Sequence, residues 1–156
     1  MAEEASGSVT ANKLGANAEG TVWSVCFLDE TNKVFNSEYR LVIACADSLG
    51  KISIFGNLLE DTTEWELVTN LTLKSDYQEN VVIYSIKAAE NGNPKKILVA
   101  CDDNSFREIE YLENRSLVEK VHLEQAHLDD LNDVCYGKGN EKIYTVSDDK
   151  ALKIWG

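Results

Sequence analysis

The chain has 156 residues, 44% of them hydrophobic, which is enough for one ordinary domain with a buried core. It carries 27 acidic against 15 basic residues, a formal net charge of −12. That balance argues against non-specific binding to nucleic acid or to an anionic membrane, both of which need surplus Lys and Arg, and leaves a basic protein partner open.

In chain order, the opening residues MAEEASGS are acidic and polar, unlike a signal peptide, and 1–6 are expected to be flexible. Residues 7–14, GSVTANKL, have some strand character at Val9 and Thr10. Short apolar, β-branched runs separated by Asn, Asp and Gly then predict three units of strands. The first, over 21–72, offers Thr21–Phe27, Arg40–Ala46, Lys51–Phe55 and an outer strand near Trp65–Thr72. The second, over 81–123, offers Val81–Ala88, Lys96–Cys101, Ser105–Tyr111 and Leu117–Leu123. The third, over 131–156, offers Leu131–Tyr136, Lys142–Ser147 and Ala151–Trp155. Nothing is helical at comparable strength, and no segment approaches the roughly 20 apolar residues of a membrane span. Cys26, Cys45, Cys101 and Cys135 lack CxxC spacing and sit in apolar runs. They read as buried free thiols, which suits a reducing compartment, cytoplasmic or nuclear. The sequons at Asn70 and Asn114 carry no weight in such a compartment.

Residues 126–156 hold the densest pattern. His127 precedes the apolar pair Leu131 and Val134, a strand runs through Thr145, a tight turn holds Asp148 and Asp149, and the last strand closes on Trp155. This segment resembles a WD repeat, one blade of a β-propeller, and a weaker resemblance covers nearly the whole chain. The third strands end at Phe55, Tyr111 and Trp155, intervals of 56 and 44 residues, against a family period of about 40–45. The resemblance implies that His127, Thr145, Asp149 and Trp155 form a buried hydrogen-bonded chain that locks the blade. Ala126 stands where the family has Gly before the His, and Gly156 where an Asp would follow the Trp. The first unit puts Ala18, Cys45, Leu49 and Phe55 at the four lock positions. The second has Glu79 at the His position and either Asp102 or Asp103 as its turn acid. A different all-β meander that happens to repeat is the competing reading.

The implied fold class is all-β, a partial WD-repeat propeller of about three four-stranded blades, with 7–14 as the outer strand of the third. Propellers close with roughly four to eight blades, so three leave apolar end faces open. A second copy, another incomplete propeller, or the remaining blades of a longer protein would complete the ring.

Loop chemistry adds a site. At one end of the units the loops hold Glu19, Asp47, Asp76, Glu79, Asp102, Asp103, Asp129, Asp130 and Asp148; at the other they hold Lys33, Arg40, Lys95, Lys96, Lys138 and Lys142. An acidic mouth would attract a basic peptide segment, although Asp also favours turns for its own reasons. Trp23, Tyr84 and Asn132 each follow the first apolar residue of an inner strand, a position that lines the channel mouth in the family. The aromatic pair would serve as anchors or would pack between blades. The candidate partner-binding set is therefore Trp23, Tyr84, Asn132, Asp102, Asp103, Asp129 and Asp130.

No catalytic machinery is expected. The lock claims His127, and His122 falls on an outer strand, expected exposed. Cys101 has no basic neighbour in sequence to lower its pKa. Asp pairs in separate turns do not make a coordination shell, and no glycine-rich phosphate loop is present. The expected function is a non-catalytic scaffold or adaptor of an intracellular multiprotein complex, without cofactor or metal. The alternative is a purely structural, gap-filling subunit, or a fragment of a longer propeller, with no peptide ligand.

Overall fold

A computed structural model describes residues 19–29, 38–61, 63–92 and 95–156. The strand expected at 7–14, the terminus 1–6, Ala18 and Lys33 lie outside the described residues. Those described form three antiparallel sheets. The first joins β1 (Val22–Asp29), β2 (Tyr39–Asp47), β3 (Lys51–Leu58) and β4 (Trp65–Thr72) in sequence order. The second joins β5 (Ile83–Ala88), β6 (Lys95–Cys101), β7 (Phe106–Tyr111) and β8 (Leu117–Leu123) in the same way. The third holds β9 (Leu131–Tyr136), β10 (Ile143–Ser147) and β11 (Leu152–Trp155).

The three sheets repeat the turn between their second and third strands down to single hydrogen bonds. Ala46–Ile52, Ala100–Phe106 and Val146–Leu152 are the last pairs before the turn that joins each sheet's second and third strands. The fourth residue of each turn is left-handed, with φ of 76° at Gly50, 63° at Asn104 and 66° at Lys150. The same conformation is imposed on a glycine, an asparagine and a lysine, so the loop geometry dictates it, not the residue type. The amides of Ser48, Asp102 and Asp148 donate to the carbonyls of Thr21, Val82 and Asp130 over 2.9, 3.0 and 3.0 Å. This register settles the alignment of the second unit: Asp103 stands where Asp149 stands. It also corrects the strand-end spacing, because Ile109, not Tyr111, is the counterpart of Phe55 and Trp155.

Alternation along each strand gives every sheet two faces. One face of the first sheet (Ala44, Ala46, Ile52, Ile54) packs on the second sheet's Ile83, Ile86, Ile97, Val99 and Ile109 in one core. The second sheet's other face (Leu98, Ala100, Phe106) packs on Leu131, Val134, Ile143 and Trp155 of the third. We call these the forward and rear faces, forward meeting rear at both junctions. Because the second sheet is covered on both sides, Ile97–Cys101 of β6 is buried without a break, and its sequence is correspondingly a continuous apolar run. Each fully buried Ile, Leu or Val contributes about 1.5–3 kcal/mol relative to exposure. First strands adjoin, β1 against β5 and β5 against β9.

Two expectations change. Cys135 is exposed, whereas Cys101 is buried and Cys26 and Cys45 are partly so; all four are free thiols. Burial above all pushes the Cys101 thiol up to about 12, against the pull of the neighbouring Arg107, which makes it inert. His122 lies on the outer strand β8 as expected but is half-buried, opposite Arg107 of β7.

Candidate functional site

The inner strands all break register at one place. The ladder shifts between Val22 and Ser24 in β1, between Ile83 and Ser85 in β5, and opposite the Val146–Ser147 step in β9. The residues inside these irregularities are Trp23, Tyr84 and Asn132. A bulge re-aims the side chain it carries, and here it turns three side chains toward the end of the sheets that bears the tight turns. Trp23 is 55% exposed and meets Tyr84 edge-on, with ring centroids 6.0 Å apart. The Tyr84 hydroxyl donates to Asp130 Oδ2 over 3.1 Å, and Asn132 Nδ2 donates to Asp148 Oδ1 over 2.6 Å. Asp102 Oδ1 accepts from the Val82 amide and from Gln78 Nε2, over 2.8 and 2.7 Å. Asp129 is exposed and takes the Asp130 amide. A continuous rim thus runs from the first sheet to the third.

Its electrostatics are one-signed. Burial first, then the hydrogen bond to Asp130, then the charges of Asp130, Asp102 and Asp148 push the Tyr84 hydroxyl up to about 12. Desolvation chiefly, with Asp130 and Asp103 adding to it, raises the Asp102 carboxyl. Three carboxylates from two sheets therefore act on one hydroxyl. That field, beside an accessible indole, suits a guanidinium or ammonium group, which aromatic rings and carboxylates both attract.

Asp103 does not join the rim. Its carboxylate turns inward, accepting from the Ser105 hydroxyl and from Arg107 Nη2, the latter over 2.7 Å. The Arg107 side chain is fully buried and also reaches the Lys74 carbonyl (3.1 Å), Cys101 Sγ (3.1 Å) and, through Nε, Glu119 (3.3 Å). Sequence reasoning passed over this arginine, which shares β7 with Glu108 and Glu110 and so does not stand out in the sequence. Gln78 was missed as well, and nothing in the sequence marked it.

The third sheet carries the other lock, which joins all four residues expected. His127 Nδ1 lies 2.8 Å from Asp149 Oδ2, and Nε2 lies 2.7 Å from Thr145 Oγ1. Trp155 Nε1 donates to the same Thr145 oxygen over 2.9 Å. Because an ionised carboxylate only accepts, the proton of neutral His127 sits on Nδ1, and Thr145 donates to Nε2 while accepting from the indole. Counterparts in the second sheet are Val99, Ile109 and exposed Glu79, so there Asp103 is bound by Arg107 instead of by a histidine. In the first sheet these positions hold Cys45, Leu49 and Phe55 in place of the polar residues.

The Leu128 amide above all holds the Asp149 carboxyl well below the usual carboxylate range; the Ala151 amide and the His127 ring assist, against the opposing effect of desolvation. A carboxyl depressed on folding stabilises above its unfolded pKa of about 4, and that contribution is lost as pH falls through the folded value. Asp149→Asn should therefore lower stability at pH 7 and flatten its decline below pH 4. Urea midpoints measured between pH 7 and 2 check this.

Among the described residues no group of three or more His, Cys, Asp or Glu is arranged to hold a metal ion. No helix there is long and apolar enough to cross a membrane. No protein-family model and no curated protein matches the chain.

Proposed function

We propose that this chain is part of a WD-repeat β-propeller. In this reading it serves as a non-catalytic scaffold in a cytoplasmic or nuclear complex, and its acidic rim engages a basic peptide segment. The observation that carries the reading is the alignment of three bulges, which sets Trp23 against Tyr84 and Tyr84 in the field of Asp102, Asp130 and Asp148. The side-by-side inner strands and the His127–Thr145–Trp155 lock support the propeller. Rigid sheets hold the rim in place, so a partner's Arg or Lys meets preset carboxylates without ordering them first. A structural, gap-filling role is the second reading, favoured by the exposed apolar faces of the outer two sheets; it assigns the rim no ligand.

The test is titration of an Arg- and Lys-rich peptide into the full chain, followed by tryptophan fluorescence. Replacing Asp102, Asp130 and Asp148 together by Asn should weaken binding about tenfold or more, and Trp23→Ala should weaken it and abolish the signal change. Binding unaffected by all four substitutions rejects the rim.

A further inference from the structure

The register fixes which residues of the outer sheets correspond to residues buried between sheets. On forward faces, Ala46, Ile52 and Ile54 of the first sheet are 1%, 0% and 0% exposed; their counterparts Val146, Leu152 and Ile154 in the third are 38%, 63% and 57% exposed. On rear faces, Ile83 and Ile86 of the second sheet and Leu131 and Val134 of the third are at most 1% exposed. Their counterparts Val22 and Val25 in the first sheet are 51% and 61% exposed, with Phe27 beside them at 58%. The six side chains at these positions are uncharged; Asp133, opposite Val146 on the third sheet, has its carboxylate held by Ser85 and Lys87 of the second sheet. The six side chains expose on the order of 600 Å², before their neighbours are counted, against about 800 Å² per partner in a standard interface.

We propose that a second copy of this chain covers both faces at once, its forward face on the first copy's rear face and the reverse, in a head-to-tail dimer. The molecule makes forward-on-rear junctions twice within itself, and the dimer continues that packing. One copy offers one face of each kind, so a twofold axis makes the two new junctions identical and leaves no sheet face open. Six sheets fall within the four-to-eight range of closed propellers. The inference rests on the propeller reading but not on a peptide ligand, so failure of the titration above leaves it standing.

Light scattering after size exclusion, over a range of concentrations, should give twice the 17.4 kDa of one chain. Val25→Asp and Leu152→Asp should each weaken pairing about 100-fold or more, because each dimer then buries two unpaired charges. Mixing the two variants should not restore the unsubstituted affinity, since a mixed ring has one intact junction and carries both aspartates in the other. Should an aspartate variant lose its β-sheet circular dichroism, Val25→Thr and Leu152→Thr serve instead, with the same pattern at smaller amplitude. A monomer at all concentrations, open-ended growth with concentration, or pairing sensitive to only one of the two positions overturns the head-to-tail dimer.

Discussion

Arg107→Ala will destabilise the fold by about 3–5 kcal/mol, the loss found when one partner of a buried ion pair is removed. The side chain is wholly buried and Asp103 is 3% exposed, so the abandoned carboxylate has no water to replace its partner. The Lys74 carbonyl, on the segment between the first two sheets, loses its donor as well. Against a total stability of roughly 5–15 kcal/mol, this is a large fraction. Arg107→Lys should recover only part of it, because a lysine presents a point charge where the guanidinium meets Asp103, Glu119 and a carbonyl together. Urea unfolding followed by circular dichroism reads both variants. A loss below about 1 kcal/mol for the alanine variant would mean the arginine is not a lock.

The second large effect lies in the third sheet. His127→Leu should cost about 2–4 kcal/mol, since burial leaves Thr145 without an acceptor and each unsatisfied group costs about 1–3 kcal/mol. Thr145→Val alone strands the Trp155 indole and His127 Nε2. Made on top of His127→Leu, it should cost much less than it does by itself. The sheet would then approach the second sheet, where Val99 and Ile109 stand at the positions of Thr145 and Trp155. The double-mutant cycle measures this coupling directly. Additive losses would mean the four residues do not act as one chain.

These two locks show what the sequence made legible. His127, Thr145, Asp149 and Trp155 follow a spacing that fixes their geometry once the hairpin forms, so the polar chain could be named from residues alone. The strands were equally legible, because short β-branched runs between turn residues leave little alternative; Trp65–Thr72, Leu117–Leu123 and Leu131–Tyr136 fall where the pattern put them. Arg107 was not legible as a lock. Its role depends on Lys74 and Asp103 arriving from two other loops, which no local spacing encodes. The same holds for Asp103, grouped with the rim because adjacent Asp102 belongs there, although successive turn residues can point to opposite sides. Trp23, Tyr84 and Asn132 were placed at the rim by resemblance; the bulges that aim them there leave no mark in composition.

The rim is the centre of the functional account, and the rate at which it captures a basic peptide tests it most directly. Stopped-flow association of an Arg- and Lys-rich peptide should slow steeply as salt rises, because screening shortens the reach of the Asp102, Asp130 and Asp148 field to about 8 Å at physiological ionic strength. The chain with all three replaced by Asn should associate more slowly at low salt and show a nearly flat dependence. Equal slopes for the two chains, or no association with either, would contradict the account.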